Sequence, residues 1–205
     1  MITHNVEQNS DGWFKLRLGI PTASGFGKIV TSTGKSSTQS GKYMDILLAE
    51  RMAGERVESW GGNEWTERGH ELESEARTYY EMIKGVDVNQ AGFITNDEET
   101  AGMSPDGLIG EDGGLEIKCP SPGIHVSYLL ANKVPAIYIP QIQGSMWLSD
   151  RDWWDFMSYH PLIEKMVIRV NRDGKYISVL ANAIEKFTDQ MLEKQHKLKQ
   201  LGYTI

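Results

Sequence analysis

Apolar residues recur along this chain at two spacings, and the switches between them mark out its elements. From residue 42 to 52 they return every third or fourth position, as on one helix face, and Thr22 stands where it could cap a short helix through Ile29. A longer helical stretch runs from 64 to 84. Asn63 is placed as its N-cap, acidic residues fill its first turns, and Gly85 offers a stop. Short apolar runs at 92–95, 101–109 and 114–119 read as strands. Pro120 and Pro122 end the last of these and admit a helix over 123–132, and Pro140 suits the first turn of another helix through Leu148. Runs at 153–159 and 165–170 read as two more strands, and a helix over 178–201 closes the chain. This order predicts an α/β or α+β fold in which a sheet is covered by helices, built as one domain over residues 1–205. The segment 31–41 is polar and free of large apolar residues, and is expected to form an exposed, mobile loop.

Composition narrows the class without naming it. Hydrophobic residues at 40% and charged residues at 24% are ordinary for a soluble globular protein, and 205 residues are enough to bury a substantial core. No apolar run approaches the roughly 20 residues of a membrane span. The first residues, Met1-Ile2-Thr3-His4-Asn5, lack the charged and apolar regions of a signal peptide, so a cytoplasmic protein without membrane contact is expected. The single cysteine, Cys119, excludes an internal disulfide and suits a reducing compartment. A net charge of −7 argues against coating nucleic acid through bulk positive charge. It is compatible with a nuclease, which needs acidic ligands and only local basic patches. Lys15 and Arg17, and the polar stretch with Lys28, Lys35 and Lys42, are the candidates for such patches.

The candidate chemistry centres on Ser104-Pro105-Asp106-Gly107 and, nine residues after Gly107, Glu116-Ile117-Lys118. In a strand, Glu116 and Lys118 share a face while Ile117 points to the other. Gly110, Gly113 and Gly114 lie between Asp106 and Glu116 and permit a tight reversal that brings the two acids together. Facing carboxylates repel unless a proton or cation lies between them, and hard oxygen ligands suit Mg2+ or Mn2+. A lysine beside them adds positive charge where phosphate charge develops. Taken alone, this pattern is as compatible with a solvated surface hairpin. Leu108, Ile109, Leu115 and Ile117 make both strands look buried, however, and buried acids need a partner or a metal.

Other residues carry two readings each. Glu73 lies four residues after Gly69, on a face continued by Ala76 and Tyr80, so close helix packing could carry it towards the acids; helix geometry alone favours a solvated row with Glu67, Glu71, Glu75 and Glu81. Gln141 and Gln143 sit on an apolar helix, where each can bond a phosphate or a catalytic water, or be a satisfied core amide. Arg17 could hold a phosphate bidentately and Ser24 could add a hydroxyl, or the stretch could be a packing helix with a solvated arginine. Thr33-Gly34-Lys35-Ser36 resembles the end of a P-loop, but Ile29 stands where the first glycine belongs. The five histidines show no zinc spacing, and Cys119 reads as a small buried residue rather than a nucleophile.

Six stretches in order resemble the lambda-type alkaline exonuclease family, the phage recombination exonucleases with a restriction-endonuclease-like core. They are Trp13-Phe14-Lys15-Leu16-Arg17-Leu18-Gly19, Ile20-Pro21-Thr22-Ala23-Ser24, Gly69-His70-Glu71-Leu72-Glu73-Ser74-Glu75-Ala76-Arg77, Ser104-Pro105-Asp106-Gly107-Leu108, Leu115-Glu116-Ile117-Lys118-Cys119-Pro120 and Gln141-Ile142-Gln143-Gly144-Ser145-Met146-Trp147. The segment between Cys119 and Pro140 matches only loosely. The resemblance implies a mixed central sheet flanked by helices. It also implies Asp106, Glu116 and the Ile117 carbonyl as ligands of two Mg2+ or Mn2+ ions, and Lys118 as the residue that orients or activates water. Glu73 and Gln141 would assist, and Arg17, Ser24 and Ser104 would grip a 5′-phosphate. The implied activity is processive 5′-to-3′ digestion of one strand of linear duplex DNA, releasing mononucleotides and leaving a 3′ single strand for an annealing partner. A ring-shaped homotrimer of phage or prophage type, in a bacterial cytoplasm, is implied as well. A structure- or sequence-dependent endonuclease with the same core, or a non-catalytic DNA-end clamp, are the rival readings.

Overall fold

Two small sheets, each with helices against it, meet along the Ser104–Asp106 turn. The fold, taken from a computed structural model, is described for the backbone of residues 1–57 and 64–205 and for the side chains of 1–57 and 72–205. Asn63, expected as a cap, lies outside the described residues, as do the side-chain surroundings of Gly69, Glu67 and Glu71. The chain begins with β1 (Ile2–His4) and α1 (Asp11–Arg17), followed by a 3-10 turn at Ala23–Lys28. Next come α2 (Ser40–Ala53), α3 (Glu64–Lys84), β2 (Phe93–Thr95), β3 (Gly102–Met103), β4 (Gly107–Ile109) and β5 (Gly113–Lys118). After these come α4 (Pro122–Ala131), a second 3-10 turn at Ala136–Tyr138, α5 (Ile139–Ser149), β6 (Trp153–Ser158), β7 (Met166–Asn171) and α6 (Gly174–Gln200).

Strands β1, β2 and β3 form an antiparallel sheet in that order. The second sheet runs β4-β5-β6-β7 and is mixed, because β5 and β6 are parallel while the outer pairs are antiparallel. The parallel pair needs a crossover, which α4 and α5 supply. Strand alternation then sorts the side chains. Leu115 and Ile117 pack with Ala76 and Tyr80 of α3 in one apolar cluster. Glu116 pairs across the ladder with Phe156, which belongs to the other, larger cluster, packed among α2, α5 and α6. Asp155 is a charge buried on the α3 side, and it is compensated: it accepts from Tyr80 Oη at 2.6 Å and from Arg169 Nε and Nη2 at 2.8 and 3.1 Å.

The helix stops are as expected: Gly85 ends α3 at φ 65°, and Pro122 and Pro140 occupy first turns. Several expectations change. The run 101–109 is two strands broken at Ser104–Asp106, which is why it could hold a site. The segment from Thr22 is a 3-10 turn, and the Thr22 hydroxyl meets Ser24 Oγ at 3.2 Å instead of capping. Strand β1 is only three residues long, too short to show a period in the sequence. Helix α6 starts four residues before 178, at Gly174, where Asp173 caps it by accepting from the N–H groups of Lys175 and Tyr176 at 3.0 Å. The polar stretch 31–39 folds back on itself through Thr31 N–H to the Lys35 carbonyl (2.8 Å) and a bridge between Val30 and Ser36, and Tyr176 Oη donates to the Thr31 carbonyl at 2.9 Å.

Candidate active site

Three consecutive residues of the broken strand are each held by a different part of the chain. Ser104 Oγ accepts from Trp13 Nε1 at 2.7 Å and from Arg17 Nη1 at 2.9 Å, both on α1. The Pro105 carbonyl accepts from Gln8 Nε2 at 2.9 Å. The Asp106 carbonyl accepts from Arg77 Nε of α3 at 3.0 Å. Asp106 then reaches across to β5, where its Oδ2 accepts the Ile117 N–H at 2.6 Å. Gly110, at φ 52°, makes the reversal that sets β4 against β5.

The N–H and C=O of one strand residue face the same edge. Because the Ile117 N–H goes to Asp106, the Ile117 carbonyl faces that edge too. The Lys118 carbonyl faces β6 instead, where it accepts from Tyr159 N–H at 2.8 Å. Glu116 and Lys118 share a face, as the strand period requires, and their side chains form an ion pair. Glu116 is only 1% exposed, and its Oε1 also accepts from Gln141 Nε2 at 2.6 Å. Gln141 is held near β5 because α5 lies tightly on the 3-10 turn that carries Ser24. A Cβ on Gly144 would come within 2.3 Å of the Phe26 ring, so only glycine allows this approach. Gln143 is a satisfied core amide, bonded to the Asn171 carbonyl and the Asp173 N–H.

Glu73, Asp106, Glu116, Lys118 and Gln141 line one cleft of about 570 Å³ together with Arg17, Ser24 and Ser104. Glu73 is therefore carried to the acids, the less favoured of its two readings. It pairs with Arg77 Nη2 at 2.8 Å. Burial pushes the Glu116 carboxyl up to about 7, with Asp106 and Glu73 adding to the rise and Lys118 opposing it. Burial, then the Asp106 charge, pushes Glu73 up to about 7 against Arg77 and Lys118. Burial would lower the Lys118 pKa, but Glu116 and Asp106 outweigh it and the ammonium ends more basic than usual. Burial lowers the Arg17 pKa to about 10, which leaves the guanidinium charged at neutral pH. That guanidinium also lies 4.1 Å from the Trp13 ring centroid, a cation–π contact at the cleft wall.

Crowded acids, with Glu73 and Glu116 raised in pKa, and an adjacent backbone carbonyl are the donor set a hard divalent cation takes. Among the described residues no group of three or more His, Cys, Asp or Glu side chains is arranged to hold a metal. Mg2+ needs only one or two carboxylates with water and substrate oxygens, so Asp106, Glu116 and the Ile117 carbonyl fit it. The basic candidates are dispersed: Lys15, Lys35 and Lys42 are exposed, and Lys28 Nζ lies 4.9 Å from the Tyr43 ring centroid. Cys119 is half-buried against the α3 cluster, and His125 is fully buried between Ser158 Oγ and the Glu164 carbonyl.

The model of the YqaJ-like viral recombinase domain matches residues 12–152, a span that includes all six motifs in full. The chain belongs to the YqaJ-like viral recombinase family. Curated protein sequences give no match. Among solved structures, the alkaline exonuclease LHK-Exo from Laribacter hongkongensis is similar over 94% of this chain and 98% of its own, at 30% identity and a TM-score of 0.86. LHK-Exo in complex with dAMP is similar at 31% identity and a TM-score of 0.85, over the same shares of the two chains. A phage related exonuclease from Haemophilus somnus 129PT shares the fold, at 19% identity and a TM-score of 0.65, over 86% of this chain and 96% of that one. The resemblance to the alkaline exonucleases read from the six motifs is thus borne out, and so is the mixed fold of sheets flanked by helices.

Sequence reasoning missed two residues that line the cleft, Gln8 and Arg77, and one neighbour of Lys118, Tyr138. Gln8 lies before the first motif, and no pattern marked it. Tyr138, whose ring centroid is 5.4 Å from Lys118 Nζ, lies in the loosely matching segment. Arg77 was inside a quoted motif, four residues after Glu73, and that helical spacing was the available signal.

Proposed function

We propose that this YqaJ-like recombinase domain is a metal-dependent exonuclease that digests one strand of linear duplex DNA from a 5′-phosphorylated end. The observation that carries the reading is the shared cleft. The acid–lysine cluster and the Arg17–Ser104 corner line the same 570 Å³ space, so a held phosphate end and a scissile bond can occupy it together. LHK-Exo, named an alkaline exonuclease and seen with dAMP, adds support.

Mg2+ or Mn2+ held by Asp106, Glu116 and the Ile117 carbonyl, with two ions per site, would supply Lewis-acid stabilisation of the phosphate and an acidified water. The protein's own groups do the rest. Arg17, with Ser104 and Ser24, binds the terminal phosphate and sets how far the strand enters. Lys118 stays protonated, so it acts as a cation that orients the attacking water or a phosphate oxygen, not as a base. Gln141 fixes the Glu116 carboxylate through its amide, and Glu73 adds negative charge beside Asp106. We extend the proposal, on the family resemblance, to processive release of mononucleotides by a homotrimeric ring. The 3′ single strand it leaves would pass to a single-strand-annealing protein.

The test is a linear duplex carrying a 5′-phosphate at one end only, incubated with Mg2+, with polarity read from labels at each terminus. Mononucleotides should appear from the phosphorylated strand, and supercoiled closed circles should survive. Cutting of the circles would replace the exonuclease with an endonuclease of the same core. Binding of ends without any hydrolysis would leave an end clamp. Equal rates from 5′-hydroxyl and 5′-phosphate ends would remove the phosphate corner.

A further inference from the structure

The guanidinium of Arg77 touches three separate segments. Along one edge, Nε donates to the Asp106 carbonyl at 3.0 Å and Nη2 donates to Glu73 Oε1 at 2.8 Å. Along the other, the Gln90 amide, turned so that its oxygen faces these donors, accepts from Nη1 at 2.8 Å and Nη2 at 3.1 Å. The side chain is only 13% exposed, although it lines the cleft. Its Nε, Nη1 and Nη2 are thus all directed to protein acceptors.

The acceptor on Asp106 matters more than the ion pair. It is the peptide carbonyl of the acid itself, so Arg77 holds the backbone from which the Asp106 carboxylate projects. That carboxylate in turn takes the Ile117 N–H at 2.6 Å. A continuous path therefore runs from Glu73 through Arg77 and Asp106 to Ile117, tying α3, the turn before β4, and β5 together. Only a planar fork can hold a carboxylate and a carbonyl side by side along one edge; a lysine supplies the charge without the second directed donor.

We propose that Arg77 is a positioning residue that locks the Asp106 turn against α3 and β5, so that Glu73, Asp106 and the Ile117 carbonyl meet at a fixed spacing. The proposal rests on the nuclease reading for its consequence in catalysis, but the lock itself belongs to the metal-free protein. Loss of the lock lets the turn move, and a misplacement of the order of an ångström costs about 100-fold in rate.

The decisive variant is Arg77→Lys, which keeps the charge beside Glu73. Amide hydrogen exchange is measured on the metal-free protein. Ile117 N–H should exchange about tenfold faster in the variant than in the parent, with β6 amides unchanged, as expected for loss of roughly one directed hydrogen bond. Calorimetric Mn2+ affinity without DNA and kcat on the 5′-phosphorylated duplex should each fall about 10- to 100-fold. KM should stay within about threefold, because Arg77 does not grip the end. Unchanged Ile117 exchange overturns the proposal, even if kcat falls, since the loss would then be one of charge or substrate contact. Should the parent hydrolyse no DNA, the nuclease reading falls while the exchange comparison still decides on the lock. Should Arg77→Lys not fold, Gln90→Ala, at an exposed position, replaces it. There Ile117 exchange should rise about threefold, and an unaltered rate overturns the lock.

Discussion

Lys118 shows how a single side chain's task is set by its neighbours. Burial works against its charge, yet Glu116 and Asp106 keep it protonated, so the contribution to hydrolysis proposed for it is electrostatic. Lys118→Ala should lower single-turnover hydrolysis by roughly 100- to 1,000-fold, in line with the loss of one preorganised donor, while the circular dichroism spectrum is kept. Full Mg2+-dependent turnover in that variant would remove its role. Glu73 and Glu116 make a second prediction. Both carboxyls are pushed from the ordinary 4.5 to about 7 in the fold, so between those values the folded chain holds protons that the unfolded chain has released. Their contribution is present below about pH 4.5 and is lost as pH rises through about 7. In EDTA, the thermal midpoint of the parent should therefore decline across this window more steeply than that of a Glu73→Gln, Glu116→Gln double variant. Identical slopes would contradict it. Added Mg2+ should raise the parent's midpoint more at pH 8 than at pH 5.5. At this scale Asp106, Glu116 and Lys118 were legible because a strand period of two is local. Arg77 was not, because its partner on the turn lies 29 positions away and is a carbonyl that any residue would supply.

Elements show where local pattern stops being sufficient. The run 101–109 has apolar residues at both ends, and Pro105 marks the place where pairing breaks. Its actual path was decided by Trp13, Arg17, Gln8 and Arg77 drawing Ser104, Pro105 and Asp106 out of line. The stretch 23–28 has helical spacing but tightens into a 3-10 turn under α5. That contact is testable through Gly144→Val. Its side chain would be driven into the Phe26 ring, which a Cβ alone would meet at 2.3 Å, and overpacking of this kind destabilises by about 1–3 kcal/mol. Chemical denaturation should show that loss. Activity should fall further than stability, because the displaced turn carries Ser24 and the displaced helix carries Gln141. A variant with parental stability and activity would mean that α5 and the turn are not held together by this contact.

For the whole molecule, the net charge of −7 means that overall attraction to DNA is weak, and the end-binding proposed above has to come from the cleft. A ring around the product duplex would provide processivity through topology in place of affinity. The homotrimer proposed on the family resemblance is checked by light scattering, which should report three chains at micromolar concentration; a monomer that still digests long duplexes without release would separate processivity from a ring. Among the described residues no helix is long and apolar enough to cross a membrane. By itself the sequence determined the order of helices and strands apart from β1, the 3-10 turns and the break at 104–106, the placement of Glu116 and Lys118 on one strand face, and the six stretches shared with the alkaline exonucleases, because each depends on residues close together in the chain. Only the tertiary structure decided that Arg17 meets Ser104, that Gln141 meets Glu116, that Glu73 leaves its solvated row for the acids, and that Arg77 spans them. Those meetings depend on how helices pack on sheets, where the shape of buried surfaces and the need to satisfy each buried polar group select among arrangements that local pattern leaves equal.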